Sequence, residues 1–399
     1  MYHIHTHAPV KNLYFKRVAA VLFFVSWLFT ALFNPIAIST LLVAFLAIIL
    51  IIFTFTCRYN YRVDTWVLLL LLLFFINACV NQLFMLKETV RWFIAFWCCL
   101  LSVYFLLRAC GGIMILSIYK KIAIAISIFC IIQQLSFLLG INFLYDLTWL
   151  GIESRVTFAG PFLRVTAFFA EPAHLGFFLI YPTFIAIICK KNIYSLLVIV
   201  AFFMTFSVGN YLMLVSLLLG FYAIIEKRLT MKAFLVLSII GMVLISLLVF
   251  IPALSQKFNS IFAVGDALLL SENRSKAAPY FLFFVNLNSL LDNPFFGNGF
   301  GTGLDIYKMY LVNLLGVVKK PDLFFSDEVF FAKIMGEMGG LGLLTFFFIF
   351  YNKWSKASKN NKVFLFIFLL VSLKSGSYFN PALFFFLNMY FFKEEGNRL

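Results

Sequence analysis

Two arginines, a glutamate and a histidine fall within one stretch, RVTFAGPFLRVTAFFAEPAHLG, Arg155 to Gly176. A guanidinium fork matches the oxygens of a phosphate, which suits Arg155 and Arg164 to hold one. Glu171 and His174 can accept a proton from a hydroxyl. His174 is the sole histidine beyond the N-terminal tail, which carries His3, His5 and His7. The flanking sequence is hydrophobic enough to live in lipid, where ionisable side chains are costly and mark function by default. Arginines at a headgroup boundary, one of them paired with Glu171, would account for any single residue here. Four together are better explained as one wall of an active site.

Two further groups can contribute. SENRSK, Ser271 to Lys276, puts Arg274 and Lys276 ahead of an amphipathic stretch, Ala277 to Leu291, whose aromatic face suits a membrane surface. DNPFFGNGFGTG, Asp292 to Gly303, follows, and its glycines, Gly299 and Gly301 among them, allow a compact loop whose N–H groups can cradle phosphate. A Gly-rich turn alone is more often just a turn. The dinucleotide-binding pattern fails, because no strand precedes the loop. SDEVFFAKIMGEMGGLGLL, Ser326 to Leu344, places Asp327 and Glu328 at the start of a span, where acids complement the helix dipole. Gly336 and Gly340 are spaced for close helix packing. Glu337, two to three turns inside, needs a buried cation or a backbone group as partner. No DxD pair, HExxH or Walker sequence is present. No metal and no cofactor is expected, and nucleotide-driven chemistry is disfavoured.

These groups must be positioned by membrane spans. The chain has 399 residues, 64% of them hydrophobic and only 12% charged. Ordinary soluble domains carry about 25% charged residues, so the bilayer is the expected solvent. The expected fold is a single all-α polytopic membrane domain of about 12 transmembrane helices. Spans are read at Val18–Phe33, Ile36–Thr56, Trp66–Phe84, Trp92–Leu107, Ile122–Leu139, Ala173–Cys189, Ile193–Phe206, Tyr211–Ile225, Ala233–Phe250, Val329–Tyr351, Val363–Leu373 and Tyr378–Phe392. The seventh and eighth break at SVGN and the last two at KSGS. Residues 1–17 form a cytoplasmic tail; its HIHTH run has a metal-binding composition, but a disordered tail accounts for it better. The longer connections, 140–172 and 253–327, are expected to carry short helices. Seven cysteines lie in or beside apolar segments without a CxxC pair, as small core residues. No cleavable signal peptide and no internal repeat is evident.

With the N-terminus in the cytoplasm, alternation puts 19 of the 31 lysines and arginines in short cytoplasmic loops or tails, as the positive-inside bias requires. That accounts for much of the net charge of +15 without a nucleic-acid partner. Both termini are then cytoplasmic, and both long connections share the opposite face, where two polar segments can meet.

The order of these parts resembles the bacterial O-antigen and exopolysaccharide polymerases of the Wzy family, and their relatives the O-antigen ligases. The matching features are RVTAFFAEPAHLG before a span, TFSVGNYLMLV between two spans, SENRSK then DNPFFGNGFG in a long loop, and E-M-G-G-L-G after an acidic span start. The match runs from Arg155 to Leu344. Val208 stands where the family often has an arginine after the serine. Glu328 stands where ligases place a histidine, which favours a polymerase over a ligase. The resemblance implies metal-independent glycosyl transfer at the periplasmic face of the inner membrane, from undecaprenyl-diphosphate-linked repeat units to a sugar hydroxyl of another unit. Cations on the leaving diphosphate lower the barrier. Arg155, Arg164 and Arg274 are the candidates, with Lys276, Gly299 and Gly301 as further substrate contacts. Glu171, His174, Asp327 and Glu328 compete for the role of base. Membrane lipid, a chain-length regulator and a repeat-unit flippase are the implied partners. A lipid-linked glycan transporter is the alternative from another class.

Overall fold

The structure, a computed structural model, describes residues 10–30, 65–81, 87–148, 156–169, 171–189, 192–226, 274–315, 329–374 and 381–389, with three isolated positions between 238 and 242. The second expected span, and all but three residues of the ninth, lie outside these. The described chain is mostly helix. In order, the helices are α1 (Val10–Thr30), α2 (Thr65–Val80), α3 (Lys87–Cys110), α4 (Gly112–Leu138), α5 (Asn142–Tyr145), α6 (Pro172–Cys189), α7 (Ile193–Met204) and α8 (Val208–Gly220). A π-helical turn, Phe221–Ile225, extends α8. Then come α9 (Arg274–Asp292), α10 (Gly303–Leu315), α11 (Phe330–Lys356), α12 (Lys359–Ser372) and α13 (Pro381–Asn388). Gly112–Leu138, Val208–Ile225 and Phe330–Lys356 are long and apolar enough to cross a membrane.

The helices are apolar outside, and the polar side chains they carry within these stretches turn inward into a largely apolar core. On α4 the buried side includes Ser127, Gln133, Gln134 and Ser136, while Ile113, Ile128, Ile132, Leu135 and Leu138 face outward. On α2, Leu68, Leu71, Leu72 and Phe75 face outward and Asn77 is buried. The amphipathic stretch in α9 behaves likewise. Asn286 and Ser289 are buried, α9 packs on α11, and Phe283 and Leu291 are exposed. Such surfaces are tolerated where lipid, not water, is the neighbour.

Several helix boundaries differ from expectation. Helix α1 begins at Val10 and α4 at Gly112, so the supposed tail and the basic loop at Lys120 and Lys121 are partly helical. Exposed lysines do not end a helix; the chain breaks at Gly111 instead. The all-α expectation also misses a two-stranded hairpin in the first connection, β1 (Phe158–Ala159) and β2 (Phe162–Leu163), paired antiparallel.

Helix α6 carries Pro182 in its interior. A proline removes the hydrogen bond to the carbonyl four residues back, here that of Phe178. The Tyr119 hydroxyl of α4 donates to that carbonyl. Tyr119 in turn stacks on Phe24 of α1, with ring centres 5.1 Å apart. Tyr119→Phe therefore leaves a buried carbonyl unpaired and should cost about 1–3 kcal/mol in thermal or denaturant unfolding. In a Pro182→Ala background, where residue 182 regains its N–H, the same substitution should cost less.

Candidate active site

Arg164 follows β2, and its N–H donates to the Thr157 carbonyl at 2.9 Å, closing the hairpin. The next residues are tied to two helices. Val165 N–H donates to Met204 O at the end of α7 (3.2 Å), and Ala167 N–H donates to Gln133 Oε1 of α4 (2.8 Å). Ala167 and Phe206 both occupy the left-handed region, at φ 48° and 44°. Strain of this kind persists only where the surroundings over-determine the backbone, and it clusters at functional sites. The Phe162 ring of β2 stacks on the Phe206 ring, so the hairpin that carries Arg164 is braced against the strained turn at Phe206. Arg164 is half-buried as a residue. Its Nε is buried with no hydrogen-bond partner. Burial lowers the pKa of Arg164, and the neighbouring Tyr211 and Glu171 act in the opposite direction.

Glu171 precedes α6, and its carbonyl accepts from His174 N–H (3.1 Å) in the first turn. Pro172 at the first helical position suits that start. His174 is exposed at the helix entrance. Arg164, Glu171 and His174 are thus brought to one place, as their spacing suggests.

Two participants come from far along the chain. Asn210, fully buried at the start of α8, donates from Nδ2 to Ala173 O (3.0 Å) and accepts at Oδ1 from Lys374 Nζ (2.6 Å). Lys374 lies in the turn after α12, with Nζ 4.6 Å from the centre of the Phe177 ring. Burial, and then the charge of Arg164, push its amine down to about 7. Two glycines make room: a Cβ on Gly209 would lie 2.7 Å from the Lys374 amine, and one on Gly176 would overlap the Asn210 carboxamide. The SVGN and KSGS breaks were the only sequence signals for these residues, and neither discloses a pairing 164 residues apart. Gly176→Ala should destabilise by about 1–3 kcal/mol through overpacking, measured by thermal unfolding. Asn210→Ser in the same chain should recover part of that loss.

Arg155, Asp327 and Glu328 lie outside the described residues. Arg274 and Lys276 open α9, and their side chains are likewise outside the description. Gly299 and Gly301 are placed, and they correct the phosphate-cradle expectation. Gly299 N–H donates to the Glu337 backbone carbonyl (2.9 Å). Gly301 and Gly303 N–H donate to the Glu337 carboxylate oxygens, at 2.8 and 2.9 Å. The loop does cradle an anion, but the anion is the protein's own carboxylate. Lys333, one turn earlier on α11, lies 3.7 Å from it. Glu337 thus has both the cation and the backbone partners its burial demands.

This second centre is built on a broken helix. Gly339, at φ 65° and ψ −161°, interrupts α11. The break severs the helical bonds from Gly336 O to Gly340 N–H and from Glu337 O to Leu341 N–H. The Gly-rich loop replaces them. Asn298 N–H donates to Gly336 O and Gly299 N–H to Glu337 O, while Gly340 and Leu341 N–H donate to Pro294 and Phe295 O. Asn77 of α2 clamps the loop, donating to Phe296 O (2.6 Å) and accepting from Phe300 N–H (2.9 Å). Irregular backbone of this kind is tolerated in a membrane when it is buried in protein. Gly297 and Gly339 approach so closely that a Cβ on either would come within 2.7 Å of the facing backbone.

Among the described residues no three His, Cys, Asp or Glu side chains converge as a metal site would need. The arrangement around Arg164 offers two cationic side chains, a carboxylate and an imidazole at the meeting of three turns. It can hold an anionic group and exchange a proton beside it. Compared with known proteins, the chain matches no protein-family model and no curated protein.

Proposed function

We propose that the protein polymerises undecaprenyl-diphosphate-linked oligosaccharide repeat units into O-antigen, capsule or exopolysaccharide, by metal-independent glycosyl transfer at the periplasmic face of a bacterial inner membrane. The observation that carries this reading is the convergence of Arg164, Glu171 and His174 with Asn210 and Lys374. They come from three turns, and the alternation of basic loops assigns all three to the non-cytoplasmic side. A twelve-span chain with both termini in the cytoplasm produces that arrangement.

In this reading Arg164 holds the donor diphosphate and stabilises the charge it gains on leaving. Arg155 and Arg274 assist from the two long connections. Glu171, His174, Asp327 and Glu328 are the candidates to receive the proton of the acceptor hydroxyl. The outward-facing Leu, Ile and Phe side chains provide apolar surfaces along which a prenyl tail can lie. A chain-length regulator and a repeat-unit flippase are the expected partners.

One observation favours a transporter: α11 is broken around a buried Glu337–Lys333 pair, and transporters place polar groups at interrupted helices. Against it, Gly301 and Gly303 N–H already bond both carboxylate oxygens.

A gel of surface polysaccharide from a deletion strain tests the proposal. Loss of the long ladder with a single repeat retained supports polymerisation. Long lipid-linked chains that never reach the lipid A core point to a ligase. Loss of all outer-face units points to transport.

A further inference from the structure

We infer that Lys374 is the general base that takes the proton from the acceptor hydroxyl. This rests on the polymerase reading above, and the candidates for that role read from the sequence do not include it.

The fold holds the amine from several sides. The Asn210 carboxamide has only one workable orientation, because Nδ2 is committed to Ala173 O. Its oxygen must then face Lys374, and it accepts one N–H at 2.6 Å. The Phe177 ring covers a second side of the amine. Gly209 lets the end of the side chain pass against α8. The amine is thus fixed in place, on a residue that is half-buried as a whole. A neutral amine needs one acceptor for an N–H, and Asn210 Oδ1 provides it.

Burial, and then the charge of Arg164 facing it from the first connection, favour that neutral form. His174, in the first turn of α6, is a further neighbour of the amine. Glu171, also at the α6 entrance, acts on both Arg164 and His174. Tyr211 of α8 lies beside Arg164. Glu171 is therefore engaged as a counter-charge. With burial and Arg164 holding the amine near 7, a large share of Lys374 is unprotonated at neutral pH, which is where a general base works best.

The acceptor oxygen forms a bond to the anomeric carbon of the donor. The bond from that carbon to the diphosphate oxygen breaks, and its electron pair leaves with the lipid diphosphate. The acceptor proton passes to Nζ, and the ammonium later returns it to water. The amine is neutral above about 7 and charged below, so the rate should fall as the pH drops through that value.

The test uses the full chain in lipid nanodiscs, with a lipid-diphosphate-linked repeat unit as substrate. Lys374→Met should lower chain extension by about 10²–10⁴-fold. Lys374→Arg should be as poor, since arginine keeps the charge but does not deprotonate. Lys374→Cys alkylated with bromoethylamine restores a less basic amine, and should recover activity with the acid limb moved to lower pH. An active Lys374→Arg enzyme, or an unmoved acid limb, overturns the assignment while leaving polymerisation intact. A second readout needs no turnover: mass spectrometry of amine acylation against pH. Lys374 should react near pH 7, and reaction only at the pH of an ordinary lysine overturns the inference. A wild-type chain that fails to extend the substrate overturns the polymerase reading, and the catalytic role falls with it.

Discussion

Arg164→Ala should abolish the long surface polymer while leaving the protein folded. Removing one preorganised electrostatic contact to a developing charge costs about 10²–10³-fold in turnover. Arg164 sits where such a contact is strong, half-buried and three residues before the strained Ala167. Its Nε has no hydrogen-bond partner within the protein, so a ligand oxygen would supply what the fold does not. Arg164→Lys should recover only part of the rate, because an ammonium is a point charge where the guanidinium is a fork. Stability should change little, since the hairpin is closed by the Arg164 backbone N–H and not by its side chain. The measurement is chain extension by purified protein, beside thermal unfolding of the same preparation. Retention of wild-type extension by Arg164→Ala would remove the diphosphate role from this residue.

The largest effect on stability should come from Glu337→Ala. It leaves Lys333, 3% exposed, without its carboxylate, and two buried N–H groups without acceptors. Breaking a buried ion pair by removing one partner costs about 3–5 kcal/mol, enough to lose the monodisperse protein after detergent extraction. Glu337→Gln keeps an acceptor oxygen but turns an NH₂ toward a glycine N–H, so it should fall between. Lys333→Met should be milder than Glu337→Ala, because the carboxylate keeps both glycine donors. Size-exclusion chromatography and unfolding in detergent rank the three. Equal stability of Glu337→Ala and wild type would mean that the loop holds α11 without the carboxylate.

What could be read from the sequence was local. Arg164, Glu171 and His174 lie within eleven positions of one another, so any compact turn would gather them. The apolar runs marked helices because long stretches of Leu, Ile and Phe exclude every alternative in lipid. Glu337 was legible as a buried acid needing partners, because its neighbours are all apolar or glycine. The misses were long-range. Lys374 reads as one more loop lysine until Asn210 and Gly209 are folded against it. Gly299 and Gly301 read as a phosphate cradle because nothing in the loop reveals that a carboxylate 36 residues beyond Gly301 takes its N–H. The ends of α1 and α4 differ from expectation because exposed lysines continue a helix as readily as they end one.

The break in α11 also bears on how the protein is made. In its broken shape the middle of this helix holds two carbonyls and two N–H groups outside the helical pattern, which residues 294–299 bond, and without them that shape is a poor candidate to leave the translocation channel for lipid. Those residues precede α11 in the chain, so the partner emerges from the ribosome first and is available when the helix arrives. Integration of α11 is then an assembly event, the docking of a helix onto a preformed template, and not the partitioning of an independent segment. Appended to a reporter without residues 274–315, the same helix should insert less efficiently than its hydrophobicity implies.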